Sequence, residues 1–262
     1  MLTKLRRSLL PLLDFDNRVQ LIINRLMFAQ TGPTIYVFRG HNLLIDHSAG
    51  DQEGTRACIS PGLYDPFFNQ FSVSGPIRVL DLGANSGGFA LALFKHGFSI
   101  ERGLCVELNP RTFNRLEYNL ASVFAGQIIP LNAAVTGKSG SIKVSLGKGS
   151  VADNIYEVST SSDLRSTTLP ALTFDELIAK YLPNGSIDIC KMDIEGAEYE
   201  ALDEDTSKNL ARCRHLVIEM HGERPTMDAL CEKILTRNFS VVKPQRPFLE
   251  ANVFWFRNNI LT

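Results

Sequence analysis

From residue 77 onward, short apolar runs alternate with stretches of helical period. That is the pattern of a parallel sheet covered by helices. The runs predict strands over 78–82, 103–108, 128–134, 187–192, 215–220, 239–242 and 253–256. The helical stretches between them fall at 88–96, 110–122, 173–181, 196–202 and 226–237. Pro110 suits a first helical turn, and Thr173 with Glu176 three residues on spells a capping box. Ahead of this block, 35–38 and 42–45 predict a small hairpin turned at Arg39-Gly40. Residues 1–30 read as two short helices around Pro11. The N-terminal stretch reads as amphipathic, expected to pack on the domain, with a membrane surface or a partner as the alternative.

One stretch breaks the alternation. Residues 137–166 are rich in Gly, Ser and Thr. The first part reads as a hairpin extending the third strand, and the second as a long surface loop, either a binding loop or a functionless insertion.

Composition narrows the class without naming a function. With 44% hydrophobic and 21% charged residues in 262, the chain is globular rather than disordered. Its 27 Lys and Arg against 28 Asp and Glu give a net charge of −1. That is not the basic excess of a protein gripping many phosphates, so nucleic acid is not expected as partner. The five cysteines are widely spaced without a C-x-x-C, which argues against a disulfide framework or a cysteine zinc site. Reduced thiols in the cytoplasm fit best. No apolar run nears the ~18 residues of a membrane span, so no stable insertion is expected. The short Ser8 to Leu13 stretch does not make a signal peptide.

The sharpest motif is V-L-D-L-G-A-N-S-G-G, where a strand runs through a Gly-rich turn into a helix. Glycines let the backbone take positive φ and let a ligand approach. A dinucleotide fingerprint would need Gly at 83, 85 and 88, but position 85 is Asn. Asp81 precedes the turn, where it can anchor the loop and face a cationic ligand group. The order of Asp81, Gly83, Asn85 and Gly87 resembles the first motif of class I S-adenosylmethionine-dependent methyltransferases. Glu107 ends the next strand, 24 residues beyond Gly83, where its carboxylate can accept both hydroxyls of a ribose.

A second cluster closes two later strands. In K-M-D-I-E-G-A-E, Lys191, Asp193 and Glu195 alternate, and in H-L-V-I-E-M-H-G so do Glu219 and His221. Open α/β sheets bind ligands outside the carboxyl ends of their strands. Crowded carboxylates beside Lys and His must be paired, ligand-bound or used in chemistry. For methyl transfer to a hydroxyl, a base is required. His221 is the first candidate and Asp193 the second. The plainer readings are a turn hydrogen bond for His221, a helix cap for Glu195 and a carboxylate pair for Lys191. Asp193, Glu195 and His221 also have the right atoms for a divalent metal, although none is predicted.

The chain resembles the FkbM family of methyltransferases. The matching pieces are V-L-D-L-G-A-N-S-G-G-F, V-E-L-N-P with F-N-R-L-E-Y-N-L, N-A-A-V-T, L-T-F-D-E-L, I-D-I-C-K-M-D-I-E-G-A-E and I-E-M-H-G, with G-L-Y-D-P upstream. The resemblance implies a class I, Rossmann-like three-layer α/β sandwich. Its sheet would have seven mostly parallel strands with one antiparallel. It implies S-adenosylmethionine as donor and O-methylation of a small-molecule, sugar or glycan hydroxyl. By position, Asp81, Gly83, Ala84, Asn85 and Gly87 would line the methionine end. Glu107 would take the ribose, and Asn132 and Ala133 would lie near the adenine. Asp193, Glu195 and His221 would form the catalytic set. Residues 1–60 would be an N-terminal extension and 61–262 the donor-binding domain. Leu108 departs from the family's usual Pro, and Leu202-Asp203-Glu204-Asp205 from its usual Leu-Lys-Gly-Ala-like stretch. A non-catalytic donor-binding module and a nicotinamide-dependent oxidoreductase are the rival readings. A homo-oligomer is compatible with all three.

Overall fold

The computed structural model describes residues 9–28, 31–71, 73–145, 166–242 and 252–261. A 3-10 turn at Leu10–Leu12 leads to helix α1, Arg18–Met27. Strands β1, Pro33–Phe38, and β2, His41–Asp46, form the expected hairpin. A π turn at Gln52–Arg56 and a helical turn at Ala57–Ile59 follow.

The central sheet then begins with β3, Ile77–Leu82, helix α2, Gly88–Lys95, β4, Ile100–Glu107, helix α3, Pro110–Phe124, and β5, Ile128–Asn132. Next come three outlying strands, β6, Ala134–Val135, β7, Gly140–Ser145, and β8, Ser166–Leu172. The chain returns through α4, Phe174–Tyr181, β9, Ile187–Met192, α5, Glu198–Asp203, β10, Cys213–Glu219, α6, Arg224–Leu235, β11, Phe239–Val241, and β12, Val253–Asn258. Seven strands lie in the order β11-β12-β10-β9-β3-β4-β5. Only β12 runs opposite to the other six strands. The chain builds from β3 toward β5, then crosses back to lay β9 on the other side of β3. That reversal opens a crevice above β3, where such sheets take ligands.

Side-chain alternation divides the core. Val79, Ile189 and Val217 pack on one face with α2, α3, the hairpin and the Phe67–Phe68–Phe71 aromatics. Leu80, Cys190, Leu216 and Ile218 pack on the other with Phe174, Leu202 and Leu230. On α3, Leu116, Leu120 and Phe124 recur every four residues and bury against the sheet. Asn109 caps that helix, its Oδ1 accepting from the Arg111 N–H at 2.8 Å, with Pro110 at the first helical position. The Thr173–Glu176 capping box forms as read.

The hairpin is tied down by polar contacts. Asp51, fully buried, takes both forks of Arg115 at 2.7 and 2.9 Å. Asn119 accepts from the Leu44 N–H and donates to the Ser86 carbonyl at 2.7 and 2.8 Å. The N-terminal segment therefore packs directly against the Gly-rich turn.

Two expectations change. The strand read at 128–134 stops at Asn132. There the Asn132 amide donates to the Glu107 and Leu108 carbonyls at 2.7 and 3.0 Å, and the Ala133 N–H makes a last backbone bond to the Glu107 carbonyl at 3.2 Å. The following residues then leave the sheet. The hairpin at 137–166 does not extend that strand. β6, β8 and β7 form a separate three-stranded sheet. Of the long loop read at 151–166, residues 151–165 lie outside the described residues and Ser166 opens β8. Among the described residues no helix is long and apolar enough to cross a membrane.

Candidate functional site

The turn after β3 is held open by three residues in the left-handed region, Gly83, Asn85 and Gly87, at φ 76, 50 and 99°. The N–H groups of Gly83 and Ala84 both donate to the Val106 carbonyl, at 3.0 and 2.9 Å. A Cβ on Gly83 would lie 1.6 Å from the Asp193 carbonyl oxygen. The glycine is thus required by the neighbouring strand end, where β3 and β9 converge. Asn85 tolerates its conformation because its own Oδ1 accepts from the Ser86 N–H at 2.7 Å.

Asp81 is fully buried beneath this turn and faces Lys191, whose Nζ lies 3.5 Å from Oδ1 without hydrogen-bond geometry. Burial raises its carboxyl above the usual range, with Lys191 opposing. Lys191 also donates to the Gly83 carbonyl at 2.6 Å and sits 3.2 Å from Asp193. Burial works against its charge, yet Asp193 and Asp81 carry its pKa well above the usual lysine range. The cation that Asp81 faces is therefore the protein's own.

A cavity of about 290 Å³ opens above the turn. Gly83, Ala84 and Asn85 line it, as do Glu107, Ala133, Lys191, Asp193 and Glu195. Asp81, Gly87 and Asn132 fall outside the lining. A Cβ on Gly87 would meet Leu116, and the Asn132 amide is spent on β4. Glu107 is aimed by the backbone: Oε2 accepts from the Asn85 N–H at 2.9 Å and Oε1 from the Asn109 N–H at 2.7 Å. Beside it, Leu108, Ala133, Ala134 and Val135 form an apolar slot.

The opposite side holds the carboxylate–imidazole cluster. His221 Nδ1 lies 3.0 Å from Oε1 of Glu198, which is fully buried and also accepts from the Ile194 and Gly196 N–H groups at 2.9 and 3.0 Å. Glu198 thus ties down the loop ahead of α5, and no side chain, Glu195 included, caps that helix. Glu195 has φ 54° and reaches out instead, placing Oε2 3.4 Å from His221 Nε2. Asp193 and Glu219 approach the same nitrogen at 4.0 and 3.7 Å. The Glu198 hydrogen bond outweighs burial and holds the imidazole up to about 9. Burial pushes Glu195 up to about 7, with the His221 charge opposing. Burial also raises Glu219. Asp193, Glu219 and His221 offer ligand atoms within 4.8 Å of one another, so this trio, rather than the one with Glu195, has the spacing to hold a metal.

The sequence reading missed the remaining wall, formed by Glu53, Gly54, Cys58, Leu63 and Tyr64. Gly88 admits the π turn: a Cβ there would lie 2.2 Å from the Gly54 carbonyl oxygen. The Tyr64 ring stands edge-on to Phe89 at 4.9 Å. The G-L-Y-D-P segment was the only signal for this wall, and it carries no period or spacing that points to a cavity.

The comparisons bear on this geometry. The model of the methyltransferase FkbM domain matches residues 81–241. Among solved structures, the FkbM methyltransferase of Methylobacillus flagellatus KT superposes with a TM-score of 0.54 at 16% identity, covering 74% of this chain and 47% of that one. This chain thus spans about half the length of that relative. The tRNA m1G37 methyltransferase of M. jannaschii has a TM-score of 0.45 at 14% identity, covering 89% and 59%. M. capricolum TrmK, solved with S-adenosyl-homocysteine, has a TM-score of 0.42 at 11% identity, covering 75% and 67%. A search of curated proteins finds no match. The sheet order is that of a class I methyltransferase, and the chain belongs to the FkbM methyltransferase family.

Proposed function

We propose that the chain transfers the methyl group of S-adenosylmethionine to a hydroxyl of a small molecule, sugar or glycan. The observation that carries this reading is the trio of Asp193, Glu195 and Glu219 lining the cavity that begins at the Gly83 turn, with His221, itself outside the lining, 3.4–4.0 Å from their carboxylates. The lining suits the donor's chemistry. Glu107 would accept the ribose hydroxyls, and the Ala133–Val135 slot would take the purine. Tyr64, Asn85 and Lys191 are the nitrogen and oxygen donors among the lining side chains, available to an α-carboxylate, while carboxylates such as Glu53 suit an α-ammonium.

When bound, S-adenosylmethionine supplies an electrophilic methyl on a sulfonium. The protein has to align the acceptor and take its proton. His221 keeps its own proton to about 9, so at neutral pH it serves as the cation that lets the carboxylates crowd together. Glu195, titrating near 7, is then the better base, and the role first expected of His221 passes to it. Asp193, held by Lys191, orients the acceptor hydroxyl. The lining has five carboxylates against one lysine, which disfavours a polyanionic acceptor.

The test is to incubate the protein with methyl-labelled S-adenosylmethionine and a panel of sugar and natural-product alcohols, with and without a chelator. An O-methyl product that survives chelation is expected. Donor binding with no product from any acceptor would favour the non-catalytic module. Loss on chelation that magnesium restores would assign Asp193, Glu219 and His221 to a cation.

A further inference from the structure

The G-L-Y-D-P segment supplies part of the cavity wall, although the matched family domain begins only at Asp81. Its central side chain, Tyr64, lines the cavity and is 8% exposed. No hydrogen bond to a described residue occupies its hydroxyl. A buried phenol ordinarily finds a partner within the protein. One that ends in a cavity without such a partner is placed to meet a ligand.

The ring is fixed, so the hydroxyl cannot swing elsewhere to be satisfied. It stands edge-on to Phe89 at 4.9 Å and to Phe68 at 6.4 Å. The next residue, Asp65, accepts from Lys95 Nζ at 2.8 and 2.9 Å, which fastens the segment to the end of α2. Further along the wall, the buried Thr55 hydroxyl meets the buried Ser86 hydroxyl of the Gly-rich turn at 2.5 Å. The wall is thereby tied to the turn and the helix that it covers.

Position and charge indicate which ligand group the hydroxyl meets. In the proposed donor pose, Glu107 holds the ribose and the Ala133–Val135 slot holds the purine. The amino-acid tail then has to run along the rest of the lining. That tail ends in a carboxylate, and five carboxylates against one lysine make most of the lining unwelcoming to it. The exception is the stretch beside Gly83. There Lys191, which donates to the Gly83 carbonyl at 2.6 Å, is the foremost charge acting on the Tyr64 phenol. Lys191 is already shared among Gly83, Asp81 and Asp193, whereas the phenol is uncommitted. Burial holds the phenol well above its ordinary pKa, so at neutral pH it keeps its proton and can donate it in a hydrogen bond.

We propose that the Tyr64 hydroxyl donates to the α-carboxylate of S-adenosylmethionine, so that a wall outside the matched domain selects ligands with an intact amino-acid tail. The inference rests on the proposed donor.

The experiment is calorimetric titration of the full chain and of Tyr64→Phe, each with S-adenosylhomocysteine and with S-adenosyl-3-thiopropylamine, which lacks only the carboxylate. Phenylalanine keeps the ring for its contacts with Phe89 and Phe68, and unchanged melting would confirm the fold. The wild-type protein is expected to bind S-adenosylhomocysteine at least ~10-fold more tightly than the thiopropylamine. Tyr64→Phe is expected to weaken S-adenosylhomocysteine by about 10-fold and to leave the thiopropylamine unchanged. A variant that weakens both ligands equally, or neither, would overturn the proposal, because the hydroxyl would then meet another part of the ligand or water alone. A wild-type protein that binds neither ligand would remove the donor itself, and this inference with it.

Discussion

At the residue scale, two carboxylates do different work in the proposed reaction. Glu107 is aimed by two backbone N–H groups at 2.9 and 2.7 Å, so its orientation is set before any ligand arrives. Hydrogen bonds to charged groups are worth about 1.5–3 kcal/mol each. Glu107→Ala is therefore expected to weaken donor binding at least ~10-fold in calorimetry. Unchanged affinity would remove the ribose role. In the proposed reaction, Glu195 would accept the proton only when ionised. Activity should rise as pH climbs through about 7. It should fall through about 9, where His221 loses the charge that holds the cluster together. A kcat/KM profile of that bell shape is expected, with the acid limb lost in Glu195→Gln. An acid limb that persists would return the base role to another group. The sequence placed Asp193, Glu195 and His221 together through simple alternation at strand ends. It did not reveal that Glu198, three residues beyond Glu195, is the buried partner of His221. That pairing depends on a Gly196 turn that folds Glu198 back under the strand ends.

At the element scale, the strands that run through the core were legible because both their faces are buried, which writes continuous apolar runs such as L-C-V and L-V-I. The three-stranded outlier was not, because its short strands are defined by pairing with one another across the 146–165 segment rather than by any local period. The hairpin was read correctly but its purpose was not. It carries Asp51 to Arg115 on α3 and so braces the turn that shapes the cavity. Removing one partner of a buried ion pair costs about 3–5 kcal/mol. Asp51→Ala should lower unfolding stability by roughly that amount in denaturant titration. A loss well under 1 kcal/mol would show that Asp51 is not such a brace.

At the scale of the whole molecule, the order β11-β12-β10-β9-β3-β4-β5 brings three strand ends into one crevice, the Gly83 turn from β3 and the acidic ends of β9 and β10. Family membership follows from that core, since the matched region begins at Asp81. The wall formed by Glu53, Gly54, Leu63 and Tyr64 lies ahead of the matched region. The most direct test of the central claim is calorimetric titration of S-adenosylhomocysteine into the folded protein, with NADH as control. Single-site binding of S-adenosylhomocysteine in the micromolar range, with no heat from NADH, is the predicted result. No binding by a demonstrably folded sample, or binding of NADH instead, would contradict it.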